Sequence, residues 1–359
     1  MWKGVQGEMR RRRLALMLAV TMAVMLAVSA CGKKEPLNEA MRNALAASME
    51  MKSYTFDGSF VIDRLELPPG AMNEAELPYL NMVRNLIVSI RGAYVQDPLQ
   101  MEMILKLTLP GDLALSFEMP VVLTADKMYI RVPNIPMFPL GEAAGKFIEF
   151  DMNELAKGQP GMPTFDVETQ RKLSVELLDI VVRHLEEEAF FRELKKDEVP
   201  GLPSDLKADR YVKFAVTQDN FESFMVAVVE RILPECADLL LNNAEYRAAL
   251  GITEEEAREF KEGLPDDPDA FRNELEERME SLRIREFSLT GAIQGDYMVY
   301  QVLKADLEFM EQGETTGFAA TFSIRYDDIN GNVTFEHGIP SDAIPFEEFE
   351  QSFLAGAGL

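Results

Sequence analysis

The residue with the best-defined chemistry in this sequence is Cys31, because of what precedes it. Four consecutive arginines, Arg10–Arg13, stand before the apolar run Leu14–Val28. That run holds 15 residues, which suits the core of an export signal and is short for a membrane span of about 20. The N-terminus therefore has the basic and the apolar segment that a bacterial export signal requires.

The tetrad Val28-Ser29-Ala30-Cys31 resembles the bacterial lipobox, in which a peptidase cuts before a cysteine that is diacylated on its sulfur. We predict that residues 1–30 are a lipoprotein signal peptide, recognised at Val28, Ser29 and Ala30, and that Cys31 is the lipidation site. Two acyl chains would anchor the protein stably, because one chain binds a membrane only marginally. The alternative is an uncleaved N-terminal anchor helix. Both place the rest of the chain on the extracytoplasmic face of the cell membrane.

Charge and cysteine content narrow the range of partners. The formal net charge is -25, so we expect repulsion from nucleic acid and predict no nucleic-acid partner. The chain has two cysteines. If Cys31 is lipidated, Cys236 has no intramolecular partner, and we predict that it is a small buried residue in the core and forms no disulfide.

The sequence carries no recognisable catalytic motif. Its only histidines are His184 and His337, and no His/Cys cluster has the spacing of a zinc site. The segment 326–337 has a glycine where a calcium loop needs one, but Tyr326 and His337 stand where that loop needs carboxylates. Phosphate-binding and nucleophile-elbow motifs are also missing. We therefore predict a protein that is not an enzyme and that has no metal site and no cofactor.

Hydrophobic periodicity predicts an α+β fold. Apolar residues alternate with polar ones at a period of two, which is typical of strands with one buried face, in segments 54–62, 86–94, 101–109, 113–123, 128–132, 146–152, 209–216, 286–293, 298–309, 318–326 and, after an Asn330-Gly331 hairpin turn, 333–335. Two helical blocks, 164–196 and 218–283, lie between the strand groups. We predict a large curved antiparallel sheet of about ten strands, covered on one face by helices.

The domain organisation follows from this pattern. We predict a tether at 31–38, a single sheet-and-helix domain at 39–345 and a C-terminal tail at 346–359. Within the domain, we expect one face of the sheet to be rich in flexible and aromatic side chains: Met101, Met103, Phe117, Met119, Phe318 and Phe322. These residues are either ordinary core or an adaptable wall for a hydrophobic ligand, because methionine fills irregular space. The sequence alone leaves both possibilities open.

Three short segments resemble the LolA/LppX-like bacterial lipoproteins: Lys52-Ser53-Tyr54-Thr55-Phe56, Lys127-Met128-Tyr129-Ile130-Arg131-Val132-Pro133 with the later Lys146-Phe147-Ile148-Glu149-Phe150-Asp151, and Ile329-Asn330-Gly331-Asn332-Val333-Thr334-Phe335. The resemblance implies a half-barrel, in which a curved antiparallel sheet wraps over helices. It also implies that acyl chains bind between the sheet and the helices, and it brings no catalytic residues.

Two functions remain as expectations. The first is a membrane-anchored extracytoplasmic lipoprotein that binds a lipid or another hydrophobic ligand between sheet and helices, with the membrane as a partner through the acyl chains on Cys31. The second is a non-enzymatic envelope adaptor or sensor that has a filled core and acts through a protein partner. The long helical block 218–283 and the acidic composition motivate the second, and no particular protein partner is indicated.

The lipidation site makes the first testable prediction. Replacing the acylated sulfur, Cys31→Ser, should release the protein from membranes or leave it as unprocessed precursor, as judged by membrane fractionation and by gel mobility of the product. Cys236→Ser is the matched control and should change neither property. Normal processing and full membrane retention of Cys31→Ser would contradict the lipobox.

Overall fold

The chain builds one mixed sheet around its first strand. The computed structural model describes residues 34–357 except 69, 74–76, 110–114, 135–142, 153, 155–165, 266, 268–270, 272, 274, 276–278, 280 and 312. Leu37–Leu359 forms one compact unit, and of Met1–Pro36 only residues 34–36 are described. The predicted signal peptide, its recognition site Val28, Ser29 and Ala30, and the lipidation site Cys31 therefore lie outside the described residues.

Within the described residues, twelve strands make up the sheet, in the spatial order β12-β6-β5-β4-β3-β2-β1-β11-β10-β9-β8-β7. Their bounds are β1 Ser53–Glu66, β2 Ile87–Val95, β3 Gln100–Leu109, β4 Leu115–Thr124, β5 Lys127–Arg131, β6 Phe147–Asp151, β7 Phe191–Glu193, β8 Arg210–Val216, β9 Leu282–Gln294, β10 Tyr297–Glu311, β11 Glu314–Asp327 and β12 Ile344–Pro345. Every neighbouring pair is antiparallel except β12–β6, which is parallel. The predicted α+β class with a large, mainly antiparallel sheet is confirmed.

The described helices lie before, between and after the strands. Their bounds are α1 Leu37–Ser48, α2 Leu77–Arg84, α3 Val167–Arg183, α4 Glu187–Phe190, α5 Phe221–Ala227, α6 Leu233–Asn242, α7 Ala244–Leu250, α8 Glu254–Glu262 and α9 Phe346–Ala357, with a π-helical turn, Val228–Ile232, joining α5 to α6. Helices α3 and α8 each begin at a capping side chain. Asp166 accepts a hydrogen bond from the Glu168 backbone N–H, and Thr253 forms a capping box with Glu256.

Helices cover one face of the sheet, which we call the helix face. Ala40, Met41 and Ala44 of α1 are buried against Val212 and Val216 of β8, and the same core takes in α3, α5 and the π-helical turn. Helix α1 packs on β7, β8, β9 and β10, while α2 packs on β1. The helical cover on the helix face is therefore centred on one end of the strand order.

The opposite face is also buried in part, which the sequence did not predict. One segment, residues 194–209, places Leu194, Val199 and Leu206 on Ala292 and Tyr300. A second segment, residues 328–345, which we call the strap, contacts the buried side chain of Glu102 and, through His337, the ring of Phe147 before it pairs with β6. We call this side of the sheet the strap face. The prediction of a single apolar face was therefore wrong.

Glu102 fastens the strap through its carboxylate. The side chain is 2% exposed and accepts hydrogen bonds from three consecutive backbone N–H groups, at 2.9 Å from Glu336, 3.0 Å from His337 and 3.0 Å from Gly338. Gly338 adopts a left-handed conformation, φ 64°, which lets successive N–H groups converge on one anion. The charge of Glu102 is thus stabilised by backbone dipoles.

Two sequence predictions failed at the strap, and a third failed in the count of strands. The Asn330-Gly331 turn opens no hairpin and Val333–Phe335 is not a strand, because β11 already pairs with β1 on one side and β10 on the other. Asn330 instead accepts a 2.7 Å hydrogen bond from the Lys52 backbone N–H. The sheet has twelve strands, not about ten, because β7 and β12 are only three and two residues long and show no periodicity.

The observed helix boundaries also differ from the predicted helical blocks. The block 164–196 is not helical throughout, since α3 ends at Arg183 and β7 follows at 191–193. The block 218–283 gives way to β9 at Leu282, because residues 282–284 already pair with β10. Asn220 occupies the capping position of α5, and its side chain accepts a 2.7 Å hydrogen bond from the Thr217 N–H.

The strap yields a stability prediction. Glu102→Ala leaves three backbone donors near the sheet without their acceptor, and each abandoned buried donor costs about 1–3 kcal/mol. We expect the free energy of unfolding in urea to fall by at least about 2 kcal/mol on this scale. Glu118→Ala on the neighbouring strand removes a half-exposed carboxylate and should change it by less than about 1 kcal/mol. Equal stability of the two variants would show that Glu102 does not fasten the strap.

Candidate functional site

A continuous row of large apolar side chains crosses the helix face of the sheet. Cross-strand pairing places one member on each of nine successive strands, and we call it the apolar row: Phe117, Leu107, Val88, Phe60, Phe322, Leu303, Leu289, Phe214 and Phe191. Alternation along each strand turns all nine toward the same face. Together they form one apolar strip.

Exposure changes along the apolar row. At the β7 end, Phe191 is 7% exposed, because α1 and its neighbours pack over it. At the middle and far positions, Leu303 is 41% and Leu107 is 36% exposed, although their side chains point to the same face. The helices thus bury one end of the apolar row and leave a half-open apolar surface over the central strands.

The six residues predicted as a ligand wall lie on this same face. Register places Met101 and Met103 beside Leu123 and Val121, and Phe117 and Met119 stand on the adjoining strand. Phe322 belongs to the apolar row, and Phe318 lies two helix-face positions away on β11, beyond Ala320, and is 36% exposed. None of the six is buried, and none belongs to either of the two described core clusters. They share a face without filling a core.

Aromatic residues close one end of this surface. Tyr54 stacks on Tyr94 with ring centroids 5.1 Å apart and meets Tyr326 edge-on at 5.4 Å. Burial raises the pKa of Tyr54 to about 12, with Tyr326 and Tyr94 adding to it, so the phenol stays neutral. Phe56 lies over Gly92, where a Cβ would approach its ring to 2.7 Å. Sequence patterning placed Tyr54, Tyr94 and Tyr326 in separate strand segments but gave no signal that their rings would meet.

The strands behind the apolar row are tied together by ion pairs on the strap face. Glu286 pairs with Lys213 of β8 and, at 3.1 Å, with Lys304 of β10. Burial alone would raise the pKa of the Glu286 carboxyl, but hydrogen bonds from Lys213, Ser288 and Lys304 outweigh it and lower that pKa to about 2. These residues alternate along their strands with Phe214, Phe287 and Leu303 of the helix face.

A depression also lies among the helices, and charged side chains around it already form ion pairs with one another. It has a volume of about 540 Å³ between α1, α3 and α6, over an apolar floor of Val175, Ile180 and Leu239. Its carboxylates have partners: Asp179 pairs with Arg42 at 2.9 Å, and Glu235 pairs with Arg183 at 2.6 Å. This depression is therefore a salt-bridged seam between helices.

Two further properties of the described residues concern membranes and metals. No described helix is long and apolar enough to cross a membrane. Within the same part of the chain, no three His, Cys, Asp or Glu side chains come together as a metal-binding group. Cys236 lies on α6 and is half-buried against the core of the helix face, and this burial, with Glu235 beside it, raises the pKa of its thiol.

The Glu286 cluster predicts how stability depends on pH. The folded pKa is about 2 and the ordinary value is 4.5, so the ionised carboxylate stabilises the fold fully above pH 4.5 and less as the pH falls toward 2. Glu286→Gln should therefore flatten the decline in the free energy of unfolding between pH 5 and pH 2, measured by urea titration. The exposed Glu255→Gln should leave the parent's slope unchanged, and an unchanged slope in Glu286→Gln would refute the assignment.

No protein-family model matches the chain, and no curated protein is similar to it. The likeness to LolA/LppX-like lipoproteins therefore stays a prediction from short segments of the sequence.

Proposed function

We propose that the chain is a membrane-anchored extracytoplasmic lipoprotein that binds an acyl chain of a lipid along the apolar row. The observation that carries the proposal is the partly exposed stretch of that row, from Leu303 at 41% to Leu107 at 36%, on the face that helices bury elsewhere. A side chain left half in water gives up roughly 1 kcal/mol compared with full burial. An acyl chain lying along the apolar row would recover that contribution at several positions at once.

The side chains of this surface suit a flexible apolar ligand. Met101, Met103 and Met119 are unbranched and polarisable, so they adapt to a chain that lacks a fixed shape. Each buried methylene of the ligand would contribute about 0.8 kcal/mol, which makes a long chain the favoured occupant. The neutral tyrosines at the Tyr54 end supply no charge that would attract an ionic ligand there.

The LolA/LppX-like half-barrel belongs to this proposal. A sheet of twelve strands with its helices on the face that bears the apolar row supports it, because twisting strands curve readily around a ligand on that side. Anchoring belongs to it too. Acyl chains on Cys31 would hold the protein at the membrane from which it draws its ligand, and the export signal would place it on the extracytoplasmic face.

Native mass spectrometry tests the binding function. Unlipidated protein is incubated with a membrane extract, separated from vesicles and analysed without denaturation. We expect a retained mass that dissociates as a lipid. A chain that retains no lipid would instead favour the adaptor role, in which the helical block 218–283 contacts a protein partner.

A single substitution should weaken the site. Leu303→Gln puts an amide into the exposed part of the apolar row, and losing one buried leucine contact corresponds to about tenfold weaker binding of a fluorescent fatty acid. Leu250→Gln is the matched control, because Leu250 is 43% exposed on α7 and Leu303 is 41% exposed. The control should bind as the parent does. Equal loss in both variants, or in neither, would contradict the proposed site.

A further inference from the structure

Exposed apolar side chains gather at one end of the sheet. Sixteen large apolar residues of the described chain are at least 36% exposed, and six of them form what we call the rim: Met82 and Val83 on α2, Ile87 on β2, Leu115 on β4, and Phe309 and Met310 on β10. The register brings the four strand residues to one end, where β1, β3 and β10 finish and β2, β4 and β11 begin. A 2.7 Å hydrogen bond from the Arg84 side chain to the Leu65 carbonyl ties the end of α2 to β1 there.

The rim differs from the apolar row because its side chains lie on both faces of the sheet. Phe309 and Leu115 point to the helix face, while Ile87 and Met310 point to the strap face. No single packing partner on one face of the sheet could therefore cover all four. Phe309 is 50% exposed, more than any other large apolar residue on the described strands. Apolar residues that surround the end of a sheet on both faces form a tip suited to enter an apolar medium.

We propose that the rim docks this end of the sheet onto the surface of a zwitterionic lipid bilayer, so that an acyl chain passes between the bilayer and the apolar row without crossing water. This step rests on the proposed function. A free acyl chain loses about 0.8 kcal/mol for each methylene that enters water, so a direct path between the two apolar environments lowers the barrier to transfer. The rim adjoins the exposed part of the apolar row through Phe318 and Leu107.

Charge favours a bilayer with no net charge. The chain carries a net charge of -25, so its approach to an anionic surface is opposed. Beside the rim, however, the side chains of Arg283 and Arg285 are 59% and 51% exposed, and both reach toward Glu308. Arginine can keep such a contact while it hydrogen-bonds a lipid phosphate, because its guanidinium has five donors. Zwitterionic headgroups supply that phosphate without the net repulsion.

Tryptophan fluorescence tests the docking at a single site. The only tryptophan of the chain is Trp2, so residues 37–359, which form one compact unit, contain none. Phe309→Trp and the control Phe260→Trp, whose parent residue is 43% exposed on α8, are each mixed with phosphatidylcholine vesicles that carry brominated acyl chains. We expect a blue shift and quenching for Phe309→Trp alone. No response at position 309, or an equal response at both positions, overturns the proposal.

Transfer kinetics separate this inference from the proposed function. Phe309→Asp should bind a fluorescent fatty acid offered below its solubility limit as the parent does, but should take it from phosphatidylcholine vesicles at least about tenfold more slowly. Unchanged transfer overturns docking by the rim. If the parent binds no fatty acid from solution while Phe309→Trp still enters vesicles, the acyl-binding function fails and docking stands.

If Phe309→Trp fails to fold by circular dichroism, Leu115→Trp replaces it with the same expected result. A fluorescence response to soluble envelope protein but not to vesicles overturns the proposal in favour of a protein partner.

Discussion

The constraint on which the structure depends is the mismatch between a wide sheet and short helices. Neighbouring strands lie about 4.8 Å apart, so the nine strands of the apolar row extend over roughly 40 Å. Helix α1 has 12 residues and is only about 18 Å long. It packs across β7–β10, and α3, α5 and the π-helical turn strengthen that same region. The central strands keep the same apolar alternation without equal cover, and their side chains remain partly exposed.

The strap face of the same wide sheet is covered in a different way. It is covered by segments with little regular secondary structure, which must satisfy their backbone groups without a helix or a full strand. Glu102 serves three such groups at once, and Tyr300 donates from its hydroxyl to the Pro200 carbonyl at 3.2 Å. With the Glu286 ion pairs, these contacts hold the strands from behind. The helix face can therefore remain partly uncovered without the sheet depending on it for all of its stability.

The sequence predicted what depends on neighbouring residues and missed what depends on distant ones. Ten of the predicted strand segments are strands, because side-chain alternation is written locally in each. The burial of Glu102 was missed because its partners follow more than 230 residues later, and a glutamate between Met101 and Met103 has the pattern of a solvent-facing residue. The failed hairpin at Asn330 has the same origin, since its outcome depends on which edges of β11 are already paired. The six wall residues were placed on one face by alternation, whereas their incomplete burial depends on how far the helices reach.

The two ends of the helix face differ in chemistry, and the difference gives the surface a direction. At the Tyr54 end, aromatic rings pack on one another, and the backbone of Lys52 and Ser53 is tied to the strap through Asn330. At the rim end, apolar side chains on both faces are exposed, and the cations near them reach toward Glu308. A flexible apolar ligand on such a surface would enter and leave at the end where apolar contact is unfilled, since opening the Tyr54 end would break ring packing and strap hydrogen bonds together. Exposing the apolar rim to water costs free energy, so we expect the rim to be covered when the protein takes up or releases its ligand.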